Sequence, residues 1–190
     1  QGAANNKTGL IAAIVVAVVV VIAVVVAIII MTGKKDDGQA NDGNNGGSSN
    51  TEVGTMEIGD KDYGFVTIPN NWKKVENEED GLQYSDPKKE YFVSMLVEDV
   101  DEELNAELWA EGVKVVFAQS GVENVETETK NIPGVGDAVV VTGHFGSPYN
   151  RWLAAWIVDT PDGKVHYVAV EGPDKNNDIF SVPETFKYTK

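Results

Sequence analysis

Residues 10–31 form an unbroken run of 22 apolar residues, 16 of them Val, Ile or Leu with five Ala and one Met, and no Pro, Gly or charge among them. A helix rises about 1.5 Å per residue, so the run reaches about 33 Å, enough to cross a hydrocarbon core of about 30 Å. A secretory signal peptide is a poorer account. Its apolar region spans about 7–15 residues and ends at a small-residue cleavage site, whereas this run ends Ile28-Ile29-Ile30-Met31. A buried core helix would be shorter or would carry a polar stripe. The run therefore predicts one transmembrane helix over 10–31, after an N-terminal flank over 1–9, with the remainder of the chain tethered to a membrane. Ala13 and Ala17, like Ala23 and Ala27, have the spacing that lets two helices approach closely, although such spacing arises readily in so Ala-rich a run.

Residues 32–51 read TGKKDDGQANDGNNGGSSNT, without an aromatic residue and with nothing apolar larger than Ala. Such a stretch cannot bury enough surface to offset chain entropy and predicts a flexible linker. As a Gly-rich coil it would span about 25 Å root-mean-square. Charge is divided unevenly. Through Thr51 three acids balance three lysines, and from Glu52 to Lys190 there are 27 acids against 12 basic residues, so the formal charge of −15 sits on the tethered part. Affinity for nucleic acid comes from Lys and Arg, and anionic lipid repels acidic surfaces, so neither is an expected partner of this part. No cysteine is present, which excludes disulfides and thiol chemistry. The few flanking lysines (Lys7 before the run, Lys34 and Lys35 after it) lean toward a cytoplasmic C-terminal side.

Residues 52–190 are enough for one domain with a sizeable core. Period-two alternation predicts strands at Met56–Ile58, Tyr63–Ile68, Leu82–Tyr84 and Tyr91–Val97, then at Val125–Thr129, Ala138–His144, Trp152–Val158 and Val165–Val170. Between the two groups, Leu104, Leu108, Val113, Val116 and Phe117 repeat at helical spacing. They predict an amphipathic helix over Asp101–Gln119, with Asp101, Glu102 and Glu103 in its first turn. The Trp152 strand is apolar on both faces, as a central strand covered on both sides would be. A hairpin turn is expected at Pro161–Lys164.

The segment YGFVTIPNNW (Tyr63–Trp72), in which an aromatic-Gly strand runs into Pro and then Trp, the later LQYSDP, the single long helix, three hairpin-linked strands and the closing FSVPETFK (Phe180–Lys187) resemble the PsbP-like superfamily. That superfamily contains the photosystem II extrinsic subunit, the Mog-type Ran-binding proteins and bacterial membrane-anchored homologues. The resemblance implies an α+β fold, an α/β/α sandwich around a central antiparallel sheet, and a non-enzymatic binding or assembly role on the extracytoplasmic side. No ligand residue of the photosynthetic members matches here, so their metal and photosystem contacts are not carried over. A cystatin-like or other α+β domain is the alternative fold.

Catalysis needs a positioned base, nucleophile or metal. The two histidines, His144 and His166, lie in strand patterns without a nucleophile or zinc motif, and no enzyme activity or cofactor is expected. The acids Glu98, Asp99, Asp101, Glu102 and Glu103 are the best metal candidate, since hard cations want several convergent oxygens, but a helix start wants acids as well. Asp174–Asp178 mimics a calcium loop until Ile179 stands where a Gly is required. The loop Gly143–Arg151 offers Phe145, Tyr149 and Arg151, the composition that dominates protein interfaces. Those three residues are the expected contact with a protein partner. The alternative is a sensor or enzyme domain that binds a small ligand or a cell-wall component, which a preformed pocket would favour.

Overall fold

The computed structural model describes residues 53–75, 81–99 and 105–190. The transmembrane helix expected at 10–31, the linker at 32–51 and the acids Asp101, Glu102 and Glu103 lie outside these residues. Among the described residues no helix is long and apolar enough to cross a membrane.

Every expected strand forms. In chain order they are β1 (Thr55–Asp60), β2 (Gly64–Pro69), β3 (Lys73–Lys74), β4 (Leu82–Ser85), β5 (Phe92–Asp99), β6 (Val122–Ile132), β7 (Gly136–Phe145), β8 (Arg151–Thr160) and β9 (Lys164–Gly172). Only the two-residue β3 had no sequence signal. Strands β3 to β9 make one sheet in the order β3-β4-β5-β9-β8-β7-β6, with every neighbouring pair antiparallel. The β8–β9 turn is the one expected: Gly163, at φ 80°, donates its N–H to Thr160 O at 3.0 Å, and only Gly adopts that φ without a steric cost.

Alternation assigns side chains to the two faces of the sheet. Val141, Leu153, Ala155, Ile157, Val165 and Tyr167 point to one, where they meet the helix α1 (Ala106–Gln119). Trp109, Val113, Val116 and Phe117 of α1, all at most 1 % exposed, recur at the spacing of one helix face. Burying each contributes about 1.5–3 kcal/mol. The helix starts later than expected. Asn105 is its N-cap, accepting Leu108 N–H on Oδ1 at 2.9 Å, and Glu107 rather than Asp101–Glu103 is the first-turn acid. The Ala106 N–H goes to Asp159 Oδ1 of β8 at 2.8 Å, so part of the cap comes from across the sheet.

Val93, Met95, Val140, Ala154, Trp156, Val168 and Val170 point to the opposite face. Here the sandwich departs from expectation. The covering layer is not α-helical but consists of the separate β1–β2 hairpin and a 3-10 helix (Asp178–Thr185), which bring Ile58, Val66, Ile68, Ile179 and Val182 onto the sheet. The chain end locks this layer: Phe65 and Lys187 exchange backbone hydrogen bonds of 2.7 and 2.9 Å. Phe186 fills the space over Gly64, where a Cβ would lie 2.5 Å from its ring. The hairpin and the 3-10 helix leave the outer part of this face, toward β6, open.

Candidate functional site

That open part is a cleft of about 430 Å³, within the size range of small-ligand sites. The strand register builds it. Paired residues of antiparallel strands share a face, and the pairs Lys130↔Ala138, Glu128↔Val140, Glu126↔Thr142, Val140↔Trp156, Thr142↔Ala154 and His144↔Trp152 lay three parallel rows across β6, β7 and β8. Val140 and Ala154 form an apolar floor, Trp156 and Trp152 close its two ends, and Phe180 of the 3-10 helix stands on the far wall. The opposite wall is polar, made by Glu126, Asn124 and Thr142. Strand β6 bulges between Glu123 and Glu126, and this sets Asn124 at φ 53° on the rim; Asn tolerates the left-handed region better than most residues.

Lysines cover both tryptophans. Lys130 Nζ lies 5.2 Å from the Trp156 ring centre and pairs with Glu128 at 3.0 Å. Lys175 Nζ lies 4.6 Å from the Trp152 ring centre, a cation–π arrangement. Trp156 is buried, while Trp152 is half-buried and reaches the cleft. The other side of Trp152 stacks on His144 with centroids 4.5 Å apart, and His144 Nε2 lies 3.1 Å from Asn150 Oδ1.

Asn150 belongs to the Gly143–Arg151 loop, which adjoins this end of the cleft. The three residues expected to present a contact there separate into two roles. Phe145 and Arg151 are 5 % and 8 % exposed, so they turn inward and offer no surface. Arg151 lies in the sheet interior, where Nε and Nη2 donate to Glu171 Oε1 at 3.0 and 2.7 Å, Nη2 also donates to Glu90 O at 2.6 Å, and the guanidinium lies over Phe92. Tyr149 is 36 % exposed, with its ring edge-on to Phe145 at 6.2 Å. The N–H groups of Tyr149 and Asn150 both donate to Gly146 O at 3.0 Å, which fixes the loop tip.

The remaining candidates do not converge. Glu98 and Asp99 end β5 opposite Val165 and Lys164, Asp101 and Glu102 lie outside the described residues, and among the described residues no group of three acids or histidines could hold a metal. Glu171 was not anticipated from the sequence. Burial raises its carboxyl to about 7 despite the opposing Arg151 charge. Raised carboxylates mark functional sites, but this one is 3 % exposed and paired, so its role is structural.

His166 is buried as well. Its Nδ1 lies 3.2 Å from Tyr63 O of the hairpin and its ring packs 5.1 Å from Phe186. Burial holds the imidazole below its usual range, opposed in part by the Tyr63 carbonyl. The unfolded chain then binds the extra proton more readily than the folded one, so the stabilisation present above the ordinary value of 6.5 is lost as pH falls. Thermal melts between neutral and mildly acidic pH are expected to show a steeper acid loss in the wild type than in His166→Gln. Parallel profiles would show that His166 does not couple the hairpin to the sheet.

A scan against protein-family models finds no match, and a search of curated proteins finds none. Among solved structures, cyanobacterial PsbP (CyanoP) from Synechocystis sp. PCC 6803 superposes with a TM-score of 0.55 at 16 % identity, over 76 % of this chain and 97 % of that one. The domain has the PsbP-like fold. LpqN, a protein involved in cell envelope biogenesis of Mycobacterium tuberculosis, matches more loosely, with a TM-score of 0.40 at 10 % identity over 71 % of this chain and 86 % of that one. The cystatin-like alternative is thereby set aside in favour of the PsbP-like domain, whose hairpin-and-helix cover leaves the cleft and the Tyr149 loop at one end of the sheet.

Proposed function

We propose that this chain is a membrane-anchored, non-enzymatic interaction module. Residues 10–31 span the bilayer, 32–51 form the stalk, and the PsbP-like domain faces the extracytoplasmic side, where it captures a protein partner. The observation that carries the reading is the division of labour in the Gly143–Arg151 loop. Buried Phe145 and Arg151 pin its two ends while Tyr149 stays exposed at the tip. A pinned aromatic side chain loses little entropy on binding, and Tyr is over-represented among residues that dominate interfaces. Because Arg151 turns inward, Tyr149 alone is the surface contact. The acidic domain speeds encounter with a basic partner, at a rate that falls with added salt.

A photo-crosslinking residue placed at Tyr149 of the full chain, in its native membrane, is expected to give a discrete adduct that the same residue at exposed Val115 of α1 does not give. Identical patterns from the two positions, or none from Tyr149, would sink the reading. Orientation has its own check: protease added to intact cells should remove the domain at the stalk, and full protection until lysis reverses the topology. The alternative, a small-ligand or cell-wall binding domain, is favoured by the preformed cleft of about 430 Å³ beside the loop.

A further inference from the structure

We infer that the cleft between Trp152 and Trp156 is a saccharide-binding site. The floor and the wall meet the two needs of a sugar, whose ring has an apolar face of C–H bonds and a rim of hydroxyls that both donate and accept. Half-buried Trp152 and the floor residues Val140 and Ala154 supply a surface for the C–H face. On the polar wall, Glu126 accepts, and Asn124 and Thr142 each donate and accept. Lys175 adds a movable donor. Among the described residues its ammonium has no carboxylate partner and rests on the Trp152 ring, from which a hydroxyl can draw it.

Charge chooses between a sugar and an anion. The cleft contains Lys130 and Lys175 against Glu126, and Lys130 is already paired with Glu128 on the same face. Counting Glu128, the four formal charges cancel, on a domain that carries 27 acids to 12 basic residues. A phosphate or a polyanion would meet no net attraction there. A neutral polyhydroxylated ring meets none of that penalty, and the register places its hydrogen-bonding partners in one row along β6 and β7.

The proposal concerns a different surface from the Tyr149 contact, and its test is scored separately from the crosslinking. The full chain, purified in a detergent without a sugar headgroup, is mixed with cellobiose, maltose, lactose or N,N′-diacetylchitobiose, and binding is read by saturation-transfer NMR and calorimetry. At least one sugar is expected to bind saturably with a dissociation constant of about 1 mM or below, with little change when salt is raised, as befits a neutral ligand. Glu126→Ala should weaken that binding at least about fivefold and Trp152→Ala should abolish it, while Val115→Ala on the far side of the domain should not alter it. Because Trp152 also stacks on His144, the Glu126 variant keeps the test sound if Trp152→Ala misfolds. Absence of saturable binding across the panel overturns the proposal. So does binding that survives Glu126→Ala unchanged, or binding of glucuronate or inorganic phosphate alone.

Discussion

Arg151→Ala is expected to lower the unfolding free energy by about 3–5 kcal/mol at neutral pH or above, because it strands Glu171 in the sheet interior without its counter-ion. Arg151 makes three hydrogen bonds, to the Glu171 carboxylate and the Glu90 carbonyl, and covers the Phe92 ring, so nothing near it can substitute. The loss should depend on pH. A carboxyl held above its unfolded value binds its proton more tightly when folded, so its contribution to stability falls as pH rises from 4.5 toward about 7 and beyond. Without Arg151 the carboxyl can shed its charge only by protonation, at about 1.4 kcal/mol for each pH unit above the unfolded value. Urea titrations at pH 5 and pH 8 should therefore show a distinctly smaller penalty at the lower pH. A double change, Arg151→Met with Glu171→Leu, should recover most of the loss, because well-packed apolar residues commonly replace a buried ion pair without cost. A single variant as stable as the wild type at pH 8 would show that the pair is not what holds the loop.

Trp109→Ala is expected to cost a further independent amount, about 3–5 kcal/mol, by leaving a cavity between α1 and the sheet. Trp109 is 1 % exposed and lies nearly parallel to Tyr167, with centroids 6.3 Å apart. Trp109→Phe separates packing from polarity. The indole Nε1 is buried without a hydrogen-bond partner, so removing it leaves no orphaned acceptor and relieves a desolvation cost. The Phe variant should therefore lose less than half of what the Ala variant loses, as read from urea midpoints at unchanged slope. Equal losses would show that the indole nitrogen makes a contact that matters.

Most of the sheet is legible because its signal is local. Alternation in β7, β8 and β9 shows directly which residues point to each face, and the run of apolar residues on both faces of β8 marks it as interior. The helix start is less legible because the competing signals lie side by side. Three consecutive acids imitate a first turn, whereas the actual cap is Asn105 together with Asp159, which lies 53 residues away from the amide it accepts. The loop was misread for the same reason. Arg151 looks like a surface residue until Glu171 comes beside it from β9. No local pattern marks the cleft at all. It exists because the β1–β2 hairpin and the 3-10 helix stop short of β6, and where a layer stops is decided by long-range packing. Had Lys130, Lys175 and Glu126 been weighed against the two tryptophans, their mixture of charge would have been the nearest thing to a warning.

The two ends of the domain are sewn together by its last residues, and this sets the order in which it can form. Strands β6 to β9 are a meander of neighbours that can zip as they emerge, but β5 finds its partner only when Phe92 meets Glu171, and the hairpin is locked only when Phe65 meets Lys187. Closing such long loops is the slow part of folding. A chain halted on the ribosome before Phe186 therefore has a sheet with no finished cover. During synthesis the apolar inner side of the hairpin waits, unprotected, for the final residues to be made.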